Sequence, residues 1–109
     1  MDDASDGPIR PLLSDDESLA RLDAFVVSLG ESIDAIQDAE HAGQLENAAK
    51  RAADLARNAA SLGLPPLANA AEQVVAACRS AMALDARDAI VVLTEVVRRV
   101  RLGHRGSST

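Results

Sequence analysis

The sequence predicts an all-α chain folded as an antiparallel, up-down four-helix bundle. Three observations lead there. Apolar residues recur in steps of three and four along four separate stretches, the spacing that places them on one face of a helix. Alanine, the strongest helix former, occurs 22 times, while Val, Ile and Thr rarely alternate with polar residues as a half-buried strand requires. The stretches are joined by short connections, which make sequence neighbours antiparallel. At 109 residues the chain is one domain with a modest core. Phe25 is the only aromatic residue, so that core is built from Leu, Val, Ile and Ala.

Residues 1–13 hold Asp2, Asp3, Asp6, Gly7, Pro8 and Pro11 and predict a flexible acidic arm. The bundle spans 14–102. Ser14-Asp15-Asp16-Glu17 fits a capping box and opens the first helix. Its stripe is Leu22, Val26, Leu29, Ile33 and Ile36; Gly30 interrupts it, as a kink or a close contact, and Ala42-Gly43 closes it. The second helix, Gln44 to Leu62, turns Leu45, Ala48, Ala52, Leu55, Ala59 and Leu62 inward, and Gly63 stops it. Leu64-Pro65-Pro66 connects to the third helix, Pro66 to Met82, with Leu67, Ala70, Val74, Ala77, Cys78 and Ala81 inward. Leu84-Asp85 forms a turn with Asp85 as the cap of the fourth helix. That helix buries Ala89, Leu93, Val96, Val97 and Val100 and ends at Gly103, leaving 103–109 as a disordered tail.

The formal net charge of −6 argues against nucleic-acid binding, and there is no aromatic platform on which bases could stack. The charge is unevenly spread. Residues 1–49 carry twelve acids against Arg10 and Arg21, whereas 50–109 carry nine bases against five acids. No apolar run is long enough to span a bilayer, and the acidic N-terminus does not read as a signal peptide, so a cytoplasmic location is expected.

Residues that carry chemistry are sparse. His41 and His104 have no second histidine or cysteine at ligand spacing, so neither a metal nor another cofactor is expected. No serine lies in a nucleophile elbow and no glycine-rich loop would cradle a phosphate, so no catalytic residue is assigned and an enzyme is not expected. Asp34, Asp38 and Glu40 read as a solvated acidic face, and the lone Cys78 as a core residue. The run Arg98, Arg99, Arg101, His104, Arg105 complements the C-terminal end of a helix dipole, or docks an acidic partner.

Residues 42–64, AGQLENAAKRAADLARNAASLGL, resemble the centre of histidine phosphotransfer (HPt) domains, the four-helix carriers of two-component phosphorelays. That family shows a Gly-Asp turn, a helix, and then His-x-Leu-Lys-Gly-Ser-Ala-x-x-Leu-Gly. Gly43 matches the turn, Leu55 the leucine two after the histidine, Ala59 the small position, and Leu62-Gly63 the closing pair. The resemblance places the phosphorylated histidine on Ala53, the lysine on Ala56 and the glycine on Arg57. An alanine methyl has no lone pair with which to take a phosphoryl group. The resemblance therefore implies a degenerate member, a non-catalytic module that binds a receiver domain or a histidine kinase without carrying phosphate. Lys50, Asp54 and Arg57 stand within one turn of Ala53 and form the expected docking patch. A different expectation comes from Val74, Val75, Val91, Val92, Val96 and Val97, which offer more apolar surface than one inward stripe needs and suggest a structural module that forms a homodimer.

Overall fold

The computed structural model describes residues 16–80 and 83–107. They form α1 (Asp16–His41), α2 (Leu45–Ser61), α3 (Pro65–Arg79) and α4 (Ala83–Ser107). Each helix packs on its neighbour in sequence, and α1 closes the ring against α4. Cross-links between α1 and α4 run in opposite order, Gln37 to Thr94 and Glu40 to Arg87, so the two helices are antiparallel. This is an all-α four-helix bundle.

The apolar stripe of α1 is buried along its length, from Leu22 through Leu29 to Ile36. In α2, Ala48, Ala49, Ala52, Leu55, Ala56 and Ala59 are buried; in α3, Leu67, Ala68, Ala70, Ala71, Val74 and Cys78 are. Leu45, Ala77 and Ala89, expected inside, are only partly buried. Small side chains let two helix backbones approach closely. Accordingly α2 and α3 share the most extensive interface of the bundle, whereas α1 packs mainly through larger side chains. Val74, Val96 and Val97 are consumed by the core, which leaves Val91 and Val92 as the exposed members of the valine set.

Two turns repeat one geometry. The Gln44 N–H donates to the Ala39 carbonyl at 2.8 Å and the Gly43 N–H to the Glu40 carbonyl at 3.0 Å; the Leu64 N–H donates to Ala59 at 2.9 Å and the Gly63 N–H to Ala60 at 3.3 Å. Both are Schellman motifs, which satisfy carbonyls left open at a helix end. Gly43 and Gly63 hold φ of 76° and 75° there, a region where a Cβ meets the following carbonyl. A Cβ at Gly43 would touch nothing else within 4 Å, so Gly43→Ala measures the backbone penalty alone. It is expected to cost about 1 kcal/mol. Gly30 keeps a negative φ inside α1, and a Cβ there would make ordinary contact with Arg101 Nη1 at 4.0 Å. No close contact requires a glycine at this position. Gly30→Ala should therefore stabilise the bundle by about 0.5–1 kcal/mol. Urea titrations of the two variants that shift in the same direction would contradict this assignment.

Several boundaries differ from those expected. Ser14 and Asp15 of the capping box and the arm at 1–13 lie outside the described residues, as do Ala81 and Met82. Helix α3 starts one residue earlier, with Pro65 and Pro66 both in its first turn, where a missing N–H is harmless. It ends at Arg79, and the Ser80 hydroxyl donates to the Ala77 carbonyl at 2.8 Å. Asp85 lies within the first turn of α4 rather than capping it. Its carboxylate still faces the positive end of the helix dipole. Of the tail expected at 103–109, residues 108 and 109 lie outside the described residues, and α4 continues through Gly103 to Ser107. Gly103 is not among the positive-φ glycines and is buried. A glycine lowers helix propensity by roughly 1 kcal/mol without forbidding the conformation.

Candidate functional site

Helix α2 carries the residues that the sequence singles out. Ala53 follows the buried Ala52 by one residue, about 100° round the helix, and is half-buried at the edge of the core. Lys50, Asp54 and Arg57 lie one turn or less from it and are exposed. The three residues lie along one outer strip of α2. The arrangement differs from expectation in one respect. Arg57 is ion-paired with Asp54, with both side chains well exposed. A surface i,i+3 pair of this kind contributes a few tenths of a kcal/mol. It holds the guanidinium in place in the free protein and is weak enough to exchange for a stronger acidic partner.

Sequence reasoning missed Arg51. It lies on the α1 side of α2 and makes no hydrogen bond or ion pair among the described residues. Its position four residues before the buried Leu55 was the available signal, since residues at that spacing share a helix face. Between α1 and α2, cavities of 350 and 200 Å³ share Phe25, Ser28 and Asn58 and so form one trough. A wider groove of 470 Å³ separates α1 from α4, with Asp34, Gln37, Thr94, Glu95, Arg98 and Arg101 among its lining. Arg98 grips Glu95 through two bonds, 3.1 and 2.6 Å. That hydrogen bond, ahead of the other nearby charges, holds the Glu95 carboxyl below its usual range. Of the basic run, the side chains of His104 and Arg105 lie outside the described residues.

Glu40 corrects the expected acidic face. Asp34 and Asp38 are exposed, but the Glu40 side chain is 4% exposed. Position 40 continues the stripe of Ile33 and Ile36, so the carboxylate is carried inward. Arg87 Nη2 of α4 donates to its Oε2 at 3.1 Å, and His41 Nε2 lies 3.6 Å from Oε1. A buried charge survives when it is paired and hydrogen-bonded. His41 itself is exposed, as expected.

Cys78 is buried near this pair. Burial, and then the negative charges of Glu40 and Glu46, push its thiol above the ordinary value of 9.0. A raised thiol pKa keeps the nucleophilic thiolate scarce. The unfolded chain ionises this thiol first, so the contribution to stability is complete below pH 9.0 and declines above it. The chain has no tyrosine and no second cysteine to compete with this signal. Urea midpoints across about pH 8–10 should fall in the wild type and stay flatter in Cys78→Val. Parallel pH profiles would remove Cys78 as the cause.

Among the described residues no group of three or more His, Cys, Asp and Glu could hold a metal ion, and no helix is long and apolar enough to cross a membrane. In comparisons with known proteins, no family model, no curated protein and no solved structure matches the chain.

Proposed function

We propose that this bundle is a non-catalytic docking module of two-component signalling, similar to an HPt domain in fold and register but unable to carry phosphate. The observation that supports it is the setting of Ala53: a half-buried methyl at the position the resemblance gives to the histidine, between exposed Lys50 and Arg57. The small methyl leaves the strip level, so a receiver domain or a histidine kinase can lie along α2 without a phosphoryl group between them. Arg57, released from Asp54, then offers its planar donors to the acidic phosphorylation pocket of a receiver. Lys50 adds charge that steers the approach.

Two measurements test the reading. Incubation with a receiver carrying labelled phosphate should leave this chain unlabelled; acid-labile label on it would overturn the proposal. Titration against a panel of receiver domains and kinases should find a partner, and Arg57→Glu should weaken that complex by about tenfold, the equivalent of ~1.4 kcal/mol. No binding across the panel, or a complex indifferent to Arg57→Glu, would also overturn it. Val91 and Val92, 63% and 55% exposed, support a second reading as a homodimerising structural module. Light scattering over a range of concentrations decides it, because a monomer throughout excludes that reading.

A further inference from the structure

The trough between α1 and α2 differs in character from the rest of this acidic surface. It runs from Arg21 to Ala35 along α1, about 21 Å at the helical rise. Half-buried Phe25 supplies the accessible apolar surface along it, over a floor closed by the buried Leu55 and Leu62. Arg21 stands at one end with a single long bond of 3.4 Å to Ser61, and Arg51 stands at the other without a partner among the described residues. The exposed acids of α1, among them Glu31, Asp34 and Asp38, do not line it; Asp54 does, and Arg57 holds that carboxylate. The trough is thus suited to an extended segment that has both carboxylates and aliphatic side chains.

Such a segment lies in the same chain. Residues 1–15 hold Asp2, Asp3, Asp6 and Asp15 against Arg10, together with Ile9, Leu12 and Leu13. We propose that this segment docks in the α1–α2 trough, its aliphatic side chains on Phe25 and its aspartates towards Arg21 and Arg51. It joins the described fold at Asp16, five residues before Arg21, about 7.5 Å along the helix. Ten extended residues reach about 33 Å, more than the length of the trough. The tether holds the segment at an effective concentration in the millimolar range, so a weak contact is enough to keep it docked. The groove between α1 and α4 is a poorer bed. There Glu95 already occupies Arg98, and Asp34 adds a second carboxylate to the lining. A docked segment would also cover the Asp54 edge of α2 and compete with the partner proposed above. That consequence rests on the docking reading; the intramolecular contact does not.

The test uses the full chain without any partner, so its failure is distinct from failure of the docking reading. A nitroxide is attached through Ser5→Cys. The native thiol, Cys78, is 3% exposed and its pKa is raised, so the added cysteine takes the label. Amide signals of Ser28, Ser32 and Arg51 should lose intensity by about twofold or more, and should recover in molar salt, where screening acts within about 3 Å. Arg21→Glu with Arg51→Glu should release the segment in the same way. If that variant fails to fold, Asp2→Asn, Asp3→Asn and Asp6→Asn together serve instead, since they leave the bundle untouched. Broadening centred on Arg98 and Arg101, equal broadening on both sides of α1, or no broadening would each overturn the proposal.

Discussion

Leu29→Ala should destabilise the bundle by about 3 kcal/mol. Leu29 has no exposed surface and sits midway along α1, the helix that rests on large side chains and has few buried alanines. Truncation removes the transfer energy of the leucine and leaves a cavity that rigid helices close only in part. A domain this small starts from the low end of a total near 5–15 kcal/mol, so the loss is a large fraction of what holds it folded. Urea unfolding followed by far-UV circular dichroism reads the change. Val27→Ala on the same helix is the control: Val27 is 76% exposed, and its truncation should move stability by no more than about 0.5 kcal/mol. Equal effects at the two positions would mean that α1 does not pack by the face described.

Enlarging the core should be nearly as damaging. Ala52→Leu is expected to cost about 2–3 kcal/mol, although leucine is the more apolar residue and an excellent helix former. Ala52, Ala48, Ala49 and Ala59 have no exposed surface on α2, and neither has Ala71 on α3. Helices held apart by methyl groups have no space for an isobutyl group. The added atoms must push α2 away from its neighbours or sit in a strained rotamer. Ala60→Leu, at an exposed position of α2, carries the same change of residue without the crowding and should be close to neutral. A stable, cooperative Ala52→Leu protein would show that the helices are further apart than described.

The contrast between these substitutions marks what sequence could reveal. Leu22, Val26, Leu29, Ile33 and Ile36 announce a helix face because large apolar residues recur at its period, and all five are buried. Ala49, Ala56, Ala68 and Ala71 are just as deeply placed, yet alanine is at home on either side of a helix and gives little periodic signal. Their depth comes from the neighbouring helix. Glu40 escapes a reading from sequence for a related reason. Its charge suggested solvent, while its position seven after Ile33 carried it inward, and the partner that makes this tolerable, Arg87, is 47 residues away in sequence. The glycines show the same limit. Gly43 and Gly63 end helices and Gly103 does not, although all three follow an apolar periodic stretch. On α2 the exposure of Lys50, Asp54 and Arg57 followed from the helical period alone. The trough beside them did not, because it depends on how far α1 stands from α2.

The two Schellman turns, alike in hydrogen bonding, are unequally anchored. After Gly63 the chain enters Leu64, which is 1% exposed and anchors its turn in the core. After Gly43 it passes to Gln44, which is exposed, with open space around the glycine. One turn is therefore anchored in the core and the other only hydrogen-bonded. New termini, a fused reporter or an inserted recognition sequence belong between Gly43 and Gln44, where opening the chain exposes no apolar side chain. The same cut at Leu64 would undo the floor on which α2 and α3 meet.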